Sequence, residues 1–449
     1  MISNLGKIFG NCDVITFGKD NRMIKDGAIY EEGGIIKEIG AAAFVKAAHP
    51  DADFVDLDGR LVLPGNVIAH THLYSSFARG MALKDDAPSN FIEILERLWW
   101  RLDKVLKPQD IYYSAMSYLI SCIKYGTTTI IDHHASPGAI AGSLDKVAGA
   151  VLDSGIRACL CYEVTDRNGS YGAAEGIKEN VRFIKKCQNE NNPLLRAAFG
   201  IHASFTVSDE TLIKCIEEAE KLSSPIHLHV EEDFADRADS EKKYGMPVLA
   251  RLKKLGAMRV PVLAVHCVHL ADEEFEILKN NDVVVVHNPQ SNMNNAVGVC
   301  PVLRMLDEGI IVGLGTDGMT ADFFQEMKVL LLLHKISTRD PRTYTFDRLY
   351  ETIFINNPKI VSLFWKENGV GSIEPGNYAD FITLDYNAPT PVNAENILGH
   401  LIYGINSSMV NTTVVNGKVL MKNRIIKTVD EEKVMSECRK LALKVWERF

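Results

Sequence analysis

Eight short apolar runs alternate with helical stretches between residues 61 and 317, and this alternation constrains the fold more than any other feature of the chain. Alternating β and α units favour parallel strands with helices packed outside them. Eight such units predict an α/β fold of the (β/α)8 TIM-type barrel class. The predicted strands are residues 61–69, 128–132, 157–163, 195–202, 225–232, 262–267, 283–288 and 310–317.

The two ends of the chain show a different pattern, in which short β runs are separated by turns. Gly33-Gly34 lies between two such runs near the start, and Asn416-Gly417 is a strong hairpin signal near the end. We therefore predict one small β-sandwich built from residues 1–60 and 369–427, beside a barrel of residues 61–368. Residues 428–449 are predicted to form a C-terminal helix.

Composition and charge narrow the functional classes. The 449 residues carry a net charge of −9, which argues against nucleic acid as the main partner because phosphate binding needs a basic face. No apolar run approaches the ~18 residues of a membrane span, and the first residues lack the pattern of a signal peptide. The nine cysteines are scattered and form neither a zinc-ribbon spacing nor a disulfide framework. We expect a cytoplasmic protein with no membrane partner.

Two histidines one residue apart, His70 and His72, follow the first predicted strand. Alternate residues of a strand point to the same face, so both imidazoles can reach one metal ion. A lone pair of this kind is a weak signal, and its weight comes from the other strands. Nearly every predicted strand ends in an ionisable or imidazole group, namely Asp132, His133, His134, His202, His229, Glu231, Glu232, His266, His287 and Asp317. In a barrel, this end of the strands forms the active site.

Three imidazoles and one carboxylate suit a divalent transition ion such as zinc or iron(II). Such an ion lowers the pKa of a bound water towards ~7, which makes hydroxide available at neutral pH. Glu232 lies three residues beyond His229 and could move a proton between that water and a substrate. His266 could hold or polarise the attacking water.

The motifs at these strand ends resemble those of the amidohydrolase superfamily. The similarity is to the branch of mononuclear-metal aminohydrolases that includes guanine deaminase, S-adenosylhomocysteine deaminase and the triazine hydrolases. The matching motifs are PGNVIAHTH at 64–72, HASFTVSDE at 202–210, HLHVEE at 227–232, AVHCVHL at 264–270, HNPQSN at 287–292, GTDG at 315–318 and GSIEPGNYADF at 371–381. A narrower similarity, to the SsnA-type aminohydrolases, rests on LWWRLD at 98–103, IDHHASPGAIAGSL at 131–144, TDRN at 165–168 and SNMNN at 291–295.

The resemblance implies a role for each strand-end residue. It implies four metal ligands, which are His70, His72, His229 and Asp317. Glu232 and His266 would form the acid/base pair, Asp317 would also receive a proton from water, and His202 and His287 would face the substrate. The chain departs from the family at 293–295, where Met-Asn-Asn replaces the frequent Lys-Leu, so we expect a different pocket wall. A carbamylated lysine that bridges two metal ions would have to end a strand, and no lysine ends a predicted strand. This favours one metal ion over two, and we expect zinc before iron(II).

Further substrate contacts are predicted from position alone. His133 and His134 are adjacent and must diverge, so one of them is expected to face the pocket. Trp99 or Trp100, in the long segment 73–127, could close over a planar substrate, or both could pack between helices. Arg79 could contact the substrate or be a surface charge.

Together these features predict hydrolytic deamination of an amino-substituted N-heterocycle, such as a purine, pterin or triazine, with release of ammonia. The alternative within enzymes is hydrolysis of a cyclic amide or ring halide on the same metal. A catalytically silent scaffold is the alternative of a different class, and such a protein would be expected to have lost ligands. The sequence does not separate zinc from iron, identify the heterocycle or identify an interface, although a homodimer is the commonest soluble oligomer.

Overall fold

A computed structural model describes residues 6–449 of the chain. Its strands form one eight-stranded sheet and two parallel sheets of four and five strands. The four-stranded sheet has the order Asn66–Thr71, Thr127–Asp132, Arg157–Leu160 and Leu195–Ala197. The five-stranded sheet has the order Val312–Leu314, Val283–His287, Val262–His266, Ile226–Val230 and Phe199–Ala203. The predicted α/β class is confirmed.

Helices follow most of these parallel strands. The α-helices are Ala42–Ala48, Phe91–Ile94, Trp100–Val105, Pro108–Lys124, Ser143–Ser154, Gly169–Glu190, Asp209–Lys221, Phe234–Tyr244, Val248–Leu255, Asp272–Asn280, Pro289–Asn294, Val302–Asp307, Phe323–Thr338, Phe346–Tyr350, Asn357–Val361, Ile397–Tyr403 and Glu431–Arg448. None of the helices in the described part of the chain is both long and apolar enough to cross a membrane.

Two of the predicted strands are divided in the structure. Residues up to Pro64 pair in the eight-stranded sheet, and pairing in the parallel sheet begins at Asn66. Gly65 lies between them, where a Cβ atom would lie 2.1 Å from the Thr128 side chain, so only glycine fits. At Ala198 the chain changes partner: Ala198 N donates to Leu160 O, whereas the following strand pairs with Ile226–Val230.

Backbone contacts connect the two parallel sheets at both of their edges. Thr71 forms a parallel bridge with Asp317, and Val164 forms one with Ile201. Thr316 N also donates to His70 O at 2.9 Å. The first and last parallel strands are therefore neighbours, and their carboxyl ends lie side by side.

The eight-stranded sheet draws on both ends of the chain. Its order is Ile425–Ile426, Lys418–Lys422, Val410–Val415, Phe381–Leu384, Asp53–Pro64, Lys7–Ile15, Met23–Glu32 and Ile35–Ala41. Both predicted hairpins are present as antiparallel pairs. Asn416 and Gly417 have φ angles of 51° and 70°, as the tight turn between the later two strands requires.

The C-terminal helix, Glu431–Arg448, packs on the helix Pro108–Lys124 and on the segment after the first parallel strand. Trp446 Nε1 donates to Phe77 O at 2.7 Å, and Arg448 Nε donates to Val105 O at 3.1 Å. These bonds fix the long segment 73–105, which covers the carboxyl ends of the strands.

A buried ion pair connects the four-stranded parallel sheet to the eight-stranded sheet. Arg157 donates to both oxygens of Asp380, from Nε at 2.9 Å and from Nη2 at 3.1 Å, and neither side chain is exposed. The guanidinium also lies 3.5 Å from the ring centre of Tyr378. Removal of one partner leaves a buried charge without its counter-ion.

We expect Asp380→Asn to lower the free energy of unfolding by about 3 kcal/mol or more, because Arg157 then stays buried without a carboxylate. Thermal and urea unfolding measure this loss. Asp272→Asn is the matched control, since Asp272 pairs with Arg304 but is 90% exposed, and its unfolding midpoint should change little. Equal effects of the two substitutions would contradict the structural weight given to the buried pair.

Candidate metal centre

Three imidazole nitrogens and one carboxylate converge at the carboxyl ends of the parallel strands. His72 Nε2 lies 3.3 Å from His229 Nε2 and 3.1 Å from Asp317 Oδ1. His70 Nε2 lies 3.8 Å from the same Asp317 oxygen. A tetrahedral zinc site with bonds of ~2.0–2.1 Å places neighbouring ligand atoms about 3.3 Å apart. The spacing therefore fits one divalent transition ion.

Backbone carbonyls orient two of the three imidazoles. His72 Nδ1 donates to His133 O at 2.6 Å, and His229 Nδ1 donates to His202 O at 2.8 Å. A proton on Nδ1 leaves the Nε2 lone pair free for a metal ion. The rings are held in the orientation that a metal ligand needs.

A fourth histidine, His227, supports His70. His227 Nε2 lies 2.9 Å from His70 Nδ1, and its own Nδ1 lies 3.5 Å from Cys161 Sγ. His70 Nε2 is buried and has no hydrogen-bond partner among the residues that the structure describes. A buried polar atom of this kind is unfavourable unless a ligand satisfies it, and a cation bound between the imidazoles would do so.

Burial and the Asp317 carboxylate set the charges of these groups. Burial lowers the pKa of His70 to about 3 and that of His229 well below its usual value. Burial opposes protonation of His72 as well, but its hydrogen bond to Asp317 and the charge of that carboxylate raise its pKa to about 9. Burial raises the pKa of Asp317, yet the neighbouring imidazoles of His70 and His72 outweigh this effect and keep that pKa well below its usual value. Metal binding therefore displaces a proton from His72.

The backbone at the centre is strained. His266 and Asp317 have φ angles of 75° and 52°, in the left-handed region that residues other than glycine rarely occupy. Gly315 allows the strands to approach, because a Cβ atom there would lie 2.9 Å from His70 O and 2.4 Å from Asn288 Oδ1. Strain of this kind is found at functional sites, where surrounding packing holds it.

Glu232 and His266 lie next to Asp317 on one side of the centre. His266 Nε2 is 3.4 Å from Glu232 Oε2 and 3.9 Å from Asp317 Oδ2. The Asn292 amide nitrogen lies 3.0 Å from His266 Nδ1, and Asn295 donates to Glu232 Oε1 at 3.1 Å. Burial and the charge of Asp317 raise the pKa of Glu232 well above its usual value. The surroundings therefore move the pKa values of these two neighbouring carboxyl groups in opposite directions, upward for Glu232 and downward for Asp317.

A cavity opens beside these groups and is walled by aromatic rings on one side and by imidazoles and carboxylates on the other. Its lining includes His72, Tyr74, Ser75, Phe91, Leu95, Trp99, Trp100, Glu163, His202, Phe205, His229, Glu232, Asp233, Asp236, Ser291, Asn295, Asp317 and Met319. Trp99 and Trp100 belong to the segment that covers the strand ends. The wall can hold a planar ring against the metal centre.

The structure brings together only some of the predicted substrate contacts. Trp99, Trp100 and His202 line the cavity. His133 is fully buried against His227, 4.6 Å between ring centres, and does not line it. Two further predicted contacts, His287 and Arg79, do not line the cavity either. His287 is fully buried beside His334, and Arg79 is exposed at the end of a short helical turn.

Position in the sequence could have identified one further cavity residue. Glu163 ends the predicted third strand, 157–163, as the other site residues end theirs, and its side chain lines the cavity. His227, Asn292 and Asn295 contact site residues through hydrogen bonds that no sequence spacing reports.

The sequence profile of the amidohydrolase family matches residues 61–420 of the chain. A 5-methylthioadenosine/S-adenosylhomocysteine deaminase of Pelotomaculum thermopropionicum is 33% identical over 439 residues, which covers 97% of this chain and 98% of that protein. A 5'-deoxyadenosine deaminase of Methanosarcina acetivorans is 35% identical over 441 residues, with 97% of each chain covered.

A similar fold is found in the crystal structure of an adenosine deaminase from Xanthomonas campestris with bound zinc. The TM-score is 0.86 at 23% identity, and the match covers 98% of each chain. At this identity the likeness shows the fold alone.

We expect His227→Leu to weaken zinc binding about 10- to 100-fold, because loss of a group that orients a metal ligand has an effect of this size. Competition with a chromophoric chelator measures the affinity. His49→Leu is the matched control, since His49 stacks on Tyr30 in the eight-stranded sheet. Unchanged zinc affinity in a folded His227→Leu protein would contradict the role given to His227.

Proposed function

This chain belongs to the amidohydrolase family, and from that premise we propose that it is a metal-dependent aminohydrolase that deaminates an amino-substituted N-heterocycle. The resemblance predicted from its motifs is confirmed by the family match over residues 61–420. One observation carries the proposal: the carboxyl groups of Glu232 and Asp317 lie 3.4 and 3.9 Å from His266 Nε2 at the edge of the metal centre, in surroundings that raise the pKa of Glu232 and lower that of Asp317. An acid and a base in one cavity are what hydrolytic deamination needs.

Two relatives that match nearly the whole chain support a purine-type substrate. These proteins, of Pelotomaculum thermopropionicum and Methanosarcina acetivorans, are named as deaminases of adenosine-derived nucleosides and are 33% and 35% identical to this chain. We propose His70, His72, His229 and Asp317 as the ligands of one divalent ion, with zinc preferred to iron(II). The zinc in the similarly folded adenosine deaminase supports this preference. The narrower similarity to SsnA-type enzymes stays a prediction.

A bound divalent ion supplies a Lewis acid and an activated water molecule. Glu232 donates its proton to the ring nitrogen next to the reacting carbon, which makes that carbon more electrophilic. Asp317 accepts a proton from the attacking water through Oδ2, the oxygen that also accepts from Ser291 Oγ. His266 Nε2 orients the water between the two carboxyl groups. Asp317 then passes this proton to the amine, the C–N bond breaks to release ammonia, and the remaining hydroxyl proton returns to Glu232 as C=O forms. The ring nitrogen keeps the first proton, so that water and C–NH2 become C=O and ammonia.

Ring binding is assigned to residues that line the cavity. Trp99 and Trp100 offer aromatic surfaces, and His202 lies beside Trp100 in an edge-on arrangement, with ring centres 6.1 Å apart. The predicted roles of His133, His287 and Arg79 in substrate binding have no such support from their positions.

We further propose that the nine parallel strands close as a barrel and that the eight-stranded sheet forms a separate β-sandwich, with boundaries near residues 60 and 369. The Thr71–Asp317 and Val164–Ile201 bridges support closure. All nine cysteines are free and buried, which supports the predicted cytoplasmic location. The homodimer stays a prediction.

We expect zinc-loaded protein to release ammonia from at least one amino-substituted ring, and Glu232→Gln to lower the rate by about 100-fold or more with metal retained. The substrates are 5'-deoxyadenosine, adenosine, guanine, a pterin and an aminotriazine. Glu273→Gln is the matched control, because Glu273 is exposed on the helix Asp272–Asn280, which contains none of the site residues.

A near-normal rate in metal-loaded Glu232→Gln would contradict the role of Glu232 as the acid. Zinc-loaded protein that releases no ammonia from any of these rings would contradict deamination. Cyclic amides and halogenated rings are then the substrates to test.

A further inference from the structure

Glu163 is a cavity residue that the proposed chemistry does not use. It follows the parallel strand Arg157–Leu160, is 4% exposed, and lines the cavity together with His202. A carboxylate oxygen of Glu163 lies within 4.8 Å of ligand-type nitrogens of both His202 and His229. A substrate held at the metal centre therefore lies next to this carboxylate.

The Glu163 carboxylate has hydrogen-bonding capacity that its neighbours do not use. His133 Nδ1 lies at 3.4 Å, Arg167 Nη2 at 3.6 Å and His202 Nε2 at 3.8 Å. A normal N–H···O bond is ~2.7–3.2 Å, so no side-chain donor of the described residues reaches it. Burial raises the pKa of Glu163, but His202, His133 and Arg167 outweigh this effect and keep it well below its usual value.

Arg167 keeps Glu163 charged but is not itself available to a substrate. Its guanidinium also pairs with Asp103, and it lies 5.2 Å from the ring centre of Trp100. Its side chain is 8% exposed and does not line the cavity. Two carboxylates already balance this one cation, so it offers little attraction to an anionic group.

The rest of the cavity wall also carries carboxyl groups. Four more line it, Glu232, Asp233, Asp236 and Asp317, and no lysine or arginine of the described chain does so. A substrate carboxylate or phosphate placed near Glu163 would meet a like charge in a poorly solvated site.

We propose that Glu163 determines substrate specificity: its carboxylate accepts hydrogen bonds from N–H or O–H donors of an uncharged substrate and rejects substrates that carry a carboxylate or phosphate. This proposal rests on the proposed function, because it concerns the same cavity. Among nucleosides, Glu163 would select the neutral compound over its phosphorylated form.

Ligand binding to zinc-loaded Glu232→Gln protein tests the proposal without turnover. Quenching of tryptophan fluorescence, with calorimetry as a second readout, gives the dissociation constants. The paired ligands are adenosine with adenosine 5'-monophosphate and guanosine with guanosine 5'-monophosphate. We expect each neutral ligand that binds to do so about tenfold or more tightly than its phosphorylated partner.

The substitution Glu163→Gln, in the same background, separates charge from size. It should weaken binding of the neutral ligand about tenfold or more, because the hydrogen-bond acceptor loses its charge. It should also narrow the ratio between the dissociation constants of the phosphorylated and the neutral ligand. Glu210→Gln is the matched control, since the side chain of Glu210 is 79% exposed and pairs with Lys214. Zinc content and thermal unfolding of each variant are measured in parallel.

Two further ligands identify the source of the donor. If sugar hydroxyls contact Glu163, 2',3'-dideoxyadenosine should bind more weakly than adenosine, and Glu163→Gln should remove that difference. If ring N–H groups contact Glu163, Glu163→Gln should weaken the binding of guanine. Adenosine and its dideoxy analogue should then bind with the same affinity as each other.

Equal affinity for neutral and phosphorylated ligands in the parent protein overturns the proposal, and this test does not depend on the folding of Glu163→Gln. An unchanged ratio in folded Glu163→Gln also overturns it, because rejection is then steric. Absence of binding by every neutral ligand has the same consequence. Selective binding of neutral ligands without ammonia release from wild-type protein would instead contradict the proposed deamination alone.

Discussion

The structure depends on the convergence of three imidazole Nε2 atoms on one carboxylate at the ends of parallel strands. His72 Nε2 lies 3.3 Å from His229 Nε2 and 3.1 Å from Asp317 Oδ1, and His70 completes the group. Buried imidazole nitrogens at this spacing gain little from one another, whereas a bound cation would satisfy all of them. The strained backbone at Asp317 and the need for glycine at 315 follow from bringing the first and last strands together.

The same environment gives three carboxyl groups three different tasks. The imidazoles of His70 and His72 hold the pKa of Asp317 well below its usual value, whereas burial beside that charge raises the pKa of Glu232 well above its own. His202, His133 and Arg167 lower the pKa of Glu163, although none of them lies within hydrogen-bond distance of it. Differences of environment rather than of residue type thus separate the roles we propose for these groups: metal binding and proton acceptance, proton donation and substrate selection.

Much of this site could be predicted from the sequence because strand ends meet at one edge of a parallel sheet. That rule brought together His70, His229 and Asp317, and it applies equally to Glu163. The division of the predicted strands at Gly65 and Ala198 could not be predicted, since it depends on which neighbouring strand accepts the hydrogen bond of each backbone N–H. The support of His70 by His227 likewise depends on a contact across 157 residues.

The most direct test of the account is a zinc titration of metal-depleted protein with ammonia release measured at each step, on 5'-deoxyadenosine and guanine. The account predicts that the rate rises with zinc and reaches its maximum at about one ion per chain, as expected for a single site with four protein ligands. A rate that does not depend on metal, or a saturated protein that releases no ammonia from any amino-substituted ring, would contradict it.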